Sequence, residues 1–132
     1  MEQEFNFEFF VIGGGSGGLA AASAAAAEGV SVGLADFVKP SPHGTKWGLG
    51  GTCVNVGCIP KKLFHFAGLL GESKSDLESL GWQIDANAEN NWEQLSERIT
   101  DHVRGLNYGY KKKCVDEKIK YYNSLARLLS AN

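Results

Sequence analysis

The chain has little of several things that would narrow its function. It holds three cysteines, three prolines and one methionine in 132 residues. Three cysteines do not make a secreted disulfide framework. Zinc wants four ligands in paired short spacings, which Cys53, Cys58, Cys114 and three scattered histidines do not provide. No apolar run approaches a membrane span, and the acidic start Met1-Glu2-Gln3-Glu4 is unlike a signal or transit peptide. Charge of one sign is also scarce. A net charge of −2, evenly spread, excludes nucleic acid and membrane as expected partners. The expected compartment is the cytoplasm, where a cysteine pair is redox-active rather than structural. Length and a hydrophobic content of 43% are those of one soluble domain.

What is plentiful is glycine, with seventeen residues, most of them between Gly13 and Gly57. The chain is organised around Gly50–Lys62, Gly-Gly-Thr-Cys-Val-Asn-Val-Gly-Cys-Ile-Pro-Lys-Lys. Residues five apart on an ideal helix have Cα atoms roughly 8.6 Å apart and point about 140° away from each other. A disulfide tolerates only about 7 Å. If Cys53 and Cys58 pair, the backbone between them is therefore irregular, and Gly57 supplies the freedom. Pro60 suits the first turn of a helix. Cys58 then stands at a helix N-terminus, where the dipole favours a thiolate. Inert core cysteines would leave the glycine run and the helix start unexplained. A purely structural disulfide would close too small a loop to contribute much.

A second glycine cluster precedes this one. Phe5–Ile12 is rich in aromatic and β-branched residues and reads as a strand buried on both faces. Its four phenylalanines have no explanation at this level. Gly13, Gly15 and Gly18 follow in the spacing G-x-G-x-x-G. Leu19–Glu28 is an alanine-rich helix that Gly29 stops, and Val30–Ala35 is a strand ending on Asp36. Strand, glycine turn, helix, strand and acid, in that order, are the context of a dinucleotide-binding fingerprint. The glycines let the backbone approach a pyrophosphate, the helix N-terminus complements its charge, and Asp36 accepts a hydrogen bond from a ribose.

Val38–Gly48 is a loop marked by Pro40, Pro42 and Gly44. Leu63–Gly71 continues the helix opened by Pro60 and is apolar enough to predict burial. Ser75-Asp76-Leu77-Glu78 reads as a capping box opening a short helix that Gly81 closes, which accounts for its two acids. Trp82–Asp85 is a connector. Asn91 caps a longer helix whose apolar stripe runs Trp92, Leu95, Ile99, Val103, Leu106 and Tyr110. Gly105 and Gly109 weaken it, a pattern of close packing. The charged turn Asp116-Glu117-Lys118 leads into a strand at Lys120–Asn123, and a further apolar run occupies Leu125–Leu129. His43, His65 and His102 have no supporting pattern, and Cys114 no expected catalytic role.

Nearly the whole chain, most specifically between Val11 and Gly71, resembles the flavin-dependent pyridine-nucleotide disulfide reductases, which include glutathione reductase, lipoamide dehydrogenase and large thioredoxin reductases. The stretch from Asp36 to Cys53, with Pro40, Pro42 and Trp47, looks like the thioredoxin reductase branch; glutathione reductase reaches its first cysteine through a shorter connection. The resemblance implies an α/β, Rossmann-like FAD-binding domain, three-layered around a parallel sheet. Residues 1–132 would be its N-terminal portion, incomplete and without NADPH or interface domains. It implies a Cys53–Cys58 redox disulfide, with Cys53 the exposed interchange thiol and Cys58 the flavin-facing thiol in charge-transfer contact. It places Gly13, Gly15, Ser16, Gly17, Gly18, Asp36, Phe37, Gly51, Thr52, Gly57, Lys61, Leu125 and Ala126 at the FAD, with Lys61 near the flavin. Packing explains Phe37 nearly as well, and burial explains Leu125 and Ala126. Lys62 reads as a solvated neighbour. The implied activity carries electrons from NADPH through FAD to thioredoxin in a homodimer. Rival expectations are glutathione reductase, a fused thioredoxin–glutathione reductase, and a truncated module without catalysis.

Overall fold

The computed structural model describes residues 6–85 and 87–130. The elements run β1 (Phe9–Ile12), α1 (Ser16–Ala27), β2 (Val32–Ala35), α2 (Gly51–Asn55), α3 (Cys58–Glu72), α4 (Lys74–Ser79), α5 (Trp92–Asp116) and β3 (Lys120–Tyr122). The three strands form one parallel sheet in the order β1-β2-β3, with Phe9 opposite Val32 and Leu34 opposite Tyr121. The fold is α/β, as the fingerprint predicts. Parallel neighbours need crossover connections, and α1 and the long segment ending in α5 provide them.

Strand residues alternate between faces. Val11, Val32 and Leu34 form the core with Leu19 and Ala22 of α1, Leu49, Cys114 of α5 and Ile119. The opposite face carries no helix among the described residues, so the layered arrangement is incomplete. Phe7, Phe10 and Tyr122 cluster there, their ring centroids 5.7–6.2 Å apart. Gly33 makes room for them, since a Cβ on it would lie 2.5 Å from the Phe10 ring. This accounts for two of the phenylalanines; Phe5 lies outside the described residues.

Burial departs from expectation in two elements. In β1 only Val11 is buried, while Phe9, Phe10 and Ile12 are 40%, 45% and 59% exposed. β1 is an edge strand, covered by α1 on one face alone. α3 has no buried residue at all. The short helices α2 and α4 meet it at its ends and α5 packs along it, leaving Leu63, Phe64 and Ala67 half-buried, with Phe64 stacked on Trp92 at 5.0 Å. Leu69 and Leu70 face outward. The run Leu125–Leu129 is likewise exposed, apart from half-buried Ala126, and forms no strand.

Helix ends follow local chemistry. Gly29 and Gly81 both take positive φ and close α1 and α4 with paired return bonds: the Gly29 and Val30 amides donate to Ala26 and Ala25, and those of Gly81 and Trp82 to Glu78 and Leu77. Val30 is thereby used in the turn, which is why β2 starts at Val32. α4 opens at Ser73, not through the predicted Ser75 box, and the Ser73 hydroxyl donates back to Leu69 instead of capping. Asn91 caps α5 as predicted, accepting from the Gln94 amide at 2.9 Å. Gly105 and Gly109 face open space, so close packing does not explain them. No described helix is long and apolar enough to cross a membrane.

Candidate functional site

The fingerprint turn joins β1 to α1, and its glycines stand there for different physical reasons. Gly13 takes φ +107°, a left-handed conformation that favours glycine, and its amide donates to Ala35 at 2.8 Å. A Cβ on Gly18 would lie 1.9 Å from the Gly13 carbonyl oxygen, so the helix can approach the turn only without a side chain. Gly14 is buried between Leu49 and Asp36. Gly15 and Gly17, by contrast, have room: a Cβ at Gly15 would meet only Gly51 Cα at 3.9 Å, and at Gly17 nothing within 4 Å. No acidic residue occupies the first turn of α1, whose leading amides lack intrahelical partners. Ser16 opens that turn, exposed.

Asp36 stands at the end of β2. Its Oδ1 accepts from the Gly14 amide at 2.9 Å, so the acid also braces the turn. Its charge reaches Tyr121, whose phenol is pushed up first by burial and second by Asp36. Phe37 is 41% exposed. Ala126 lines a cavity of about 410 Å³ with Ala35, Tyr122, Phe7 and Phe10, on the helix-free face of the sheet. Leu125 is exposed.

The two glycine clusters meet in space. A Cβ on Gly51, itself at φ +74°, would fall 2.6 Å from Gly15 Cα, so the fingerprint turn and the start of α2 touch backbone to backbone. α2 carries Thr52 and Cys53 and ends at Asn55; Val56 and Gly57 break the helix, and Cys58 begins α3. The backbone between the cysteines is irregular, and Cys58 is at a helix N-terminus, both as predicted. Gly57 is tight against this turn, where a Cβ would lie 2.9 Å from the Thr52 oxygen and 3.0 Å from Cys53 Cα. The turn folds over Cys53, leaving it half-buried and Cys58 exposed, the reverse of the exposures that the resemblance implies.

Both are free thiols. The Cys53 thiol is pushed up, first by its hydrogen bond to the Cys58 side chain, then by desolvation and the Cys58 charge; the Cys58 amide and Lys61 act weakly the other way. Replacing Cys58 with Ala removes the first cause, so the Cys53 pKa should fall toward an ordinary thiol. Thiolate is the reactive form, so iodoacetamide should alkylate Cys53 faster at pH 8 in Cys58→Ala than in the reduced parent. An equal or slower rate would show that Cys58 does not hold that proton. Lys61 is exposed on the first turn of α3.

Two asparagines complete the site, and sequence reasoning missed them. Asn55 accepts from the Gly48 amide at 3.0 Å and donates to the Gly48 and Gly51 carbonyls at 3.0 and 2.8 Å. Asn107 of α5 donates to Leu49 O at 2.8 Å and to Asn55 Oδ1 at 3.2 Å. The available signal was an Asn inside a long helix, where it is a poor helix former. Among the described residues no cluster of His, Cys, Asp or Glu could hold a metal.

The sequence matches the family described as pyridine nucleotide-disulphide oxidoreductase over residues 7–128. It is 53% identical over 126 residues to thioredoxin reductase SEP1 of Emiliania huxleyi, covering 96% of this chain and 25% of that protein. It is 48% identical over 132 residues to the thioredoxin reductases of two Plasmodium falciparum isolates, FCH-5 and 3D7, covering 99% of this chain and 24% and 21% of those proteins. The chain thus spans about a quarter of the length of the curated relatives it matches. With the glycine turn, the acid at the end of β2 and the paired cysteines all inside the matched region, the chain belongs to the pyridine nucleotide-disulphide oxidoreductase family.

Proposed function

We propose that these residues form the FAD-binding and redox-disulfide portion of an NADPH-dependent thioredoxin reductase. The observation that carries this reading is the backbone contact between Gly15 and Gly51, which sets a dinucleotide-type turn directly beside a cysteine pair. That the relatives are thioredoxin reductases supports thioredoxin as the disulfide acceptor.

The residues present fit FAD. The open space at Gly15 and Gly17 and the leading amides of α1 suit a pyrophosphate. Asp36, with Oδ1 on Gly14, keeps Oδ2 for a ribose hydroxyl. Phe37, Leu125 and Ala126 would flank the adenosine end; Gly51, Thr52, Gly57, Cys58 and Lys61 would hold the flavin end. When bound, FAD supplies the two-electron carrier between a nicotinamide hydride and a disulfide. Cys58, at the start of α3, would face the flavin, while Cys53 exchanges with the acceptor. Only one dinucleotide fingerprint is present, so NADPH would bind outside these residues. The exposed apolar side chains of Phe66, Leu69 and Leu70 are surface of the kind a second copy covers, in keeping with a homodimer.

The test is a chimera in which this chain replaces the matching quarter of the Emiliania huxleyi relative. It should carry flavin and reduce oxidised thioredoxin with NADPH, whereas the 132-residue chain alone, given excess FAD, should not. Within the chimera, Gly15→Val should weaken flavin retention at least about a hundredfold, since losing two charge-assisted amide contacts costs about 3 kcal/mol. Because Gly15 has φ −79° and open space, the fold should survive the change. Flavin retained as in the parent would refute the site assignment, and an inactive but flavin-loaded chimera would refute the acceptor.

A further inference from the structure

The redox turn is short of local support. α2 is five residues long and its N-cap, Gly50, offers no side chain; Gly50 and Gly51 sit at φ +139° and +74°. Glycines in such conformations have the most freedom to lose on folding, and a single helical turn is not stable alone. Something else must hold Cys53 in place.

The geometry points to Asn107 as a positioning residue for the Cys53–Cys58 pair, acting from α5 through Asn55 and the Gly48–Gly51 segment. Asn107 lies 58 residues from Leu49 in sequence, yet its amide donates to the carbonyl of that fully buried residue. Its second donor contact is Asn55 Oδ1, which also accepts from the Gly48 amide. Asn55 then grips both polar groups of Gly48 and the carbonyl of Gly51. Even the glycine at position 48 answers to Asn107, because a Cβ there would lie 2.4 Å from Asn107 Cγ. Asn55 is two residues past Cys53 on α2, and Gly51 two before it. The network therefore brackets the reactive thiol on both sides.

A disulfide accepts only a narrow range of Cα separations. How easily the pair closes depends on how far Cys53 is already held within that range. Loosening the bracket lowers the effective concentration of one thiol at the other, which favours the open dithiol. This rests on the reading of Cys53 and Cys58 as a redox pair. The step tested is closure by oxidised glutathione: the two protein thiols give up two protons and two electrons, one sulfur–sulfur bond forms, and the glutathione disulfide becomes two thiols.

The experiment equilibrates the dilute full chain in glutathione redox buffers and reads the oxidised fraction of Cys53 and Cys58 by alkylation and mass spectrometry. Asn107→Leu removes both donor contacts. Asn107→Asp keeps the size but turns a carboxylate toward two acceptor oxygens. Each should shift the equilibrium toward the dithiol at least tenfold. Val103→Ala, on the same helix but outside the network, should lower the melting temperature and leave the equilibrium within twofold of the parent. If the leucine variant does not fold, Asn107→Ser, too short to reach either acceptor, gives the same reading. Asn107 variants that melt earlier but hold the parent's equilibrium would overturn this role and leave the redox pair standing. A parent chain whose two thiols never close reversibly would overturn both.

Discussion

Cys53→Ser in the chimera should stop NADPH-dependent thioredoxin reduction, by at least about a thousandfold, while leaving flavin bound. The thiols lie on either side of the break between α2 and α3. A Cys53 thiolate attacking an acceptor disulfide forms a mixed disulfide and releases one acceptor thiolate. Cys58 then attacks Cys53 Sγ, closing the protein disulfide and releasing the second. A serine at position 53 cannot form the first bond. Cys58→Ser should also stop turnover, but it leaves Cys53 able to start, so a covalent adduct with thioredoxin should accumulate once the pair is reduced. Mass spectrometry separates the two variants. An adduct in Cys53→Ser and none in Cys58→Ser would exchange the two roles.

Gly18→Ala should cost the chain at least about 3 kcal/mol, a large share of the roughly 5–15 kcal/mol that domains possess. The added Cβ would sit 1.9 Å from the Gly13 oxygen, which is backbone and fixed by the Gly13 amide bond to Ala35. Relief requires α1 to lift from the sheet, and with it Leu19 and Ala22 from the core. Gly14→Ala is the informative contrast. Its nearest clash is with Leu49 Cδ1, the end of a flexible side chain, and the damage should be smaller. Urea unfolding followed by helical circular dichroism ranks the two. A Gly18→Ala midpoint equal to the parent's would mean that the helix does not approach Gly13 as described.

The parts of the fold legible in the sequence are those whose causes are local. Glycine spacing, the alanine run and Asp36 define β1-α1-β2 because each residue answers to neighbours within one turn or one strand. Asn91 and Gly81 are read correctly for the same reason. Burial was legible only in part, since exposure depends on what lies opposite. β1 and α3 are apolar enough to be covered on every side, yet their partners among the described residues cover only one. The cysteine turn was readable from spacing and Pro60. Its bracing was not, because the Asn107 bonds cross 52 and 58 residues and no periodicity announces them. The aromatic cluster shows the same limit: Phe10 is explained by Gly33 and Tyr122, on two other strands.

The pairing of Leu34 with Tyr121 has a consequence for how the molecule is assembled. Eighty-four residues separate the second strand from the third, and closing so long a loop must precede the reward of the contacts it brings. Both reactive thiols lie inside that loop. As the chain leaves the ribosome, Gly13 to Asp36 can form early, and Cys53 and Cys58 emerge soon after. Asn107, Cys114 and β3 come later. For that interval the thiols belong to a nascent segment whose partners have not been synthesised, and the fold does not yet guard them.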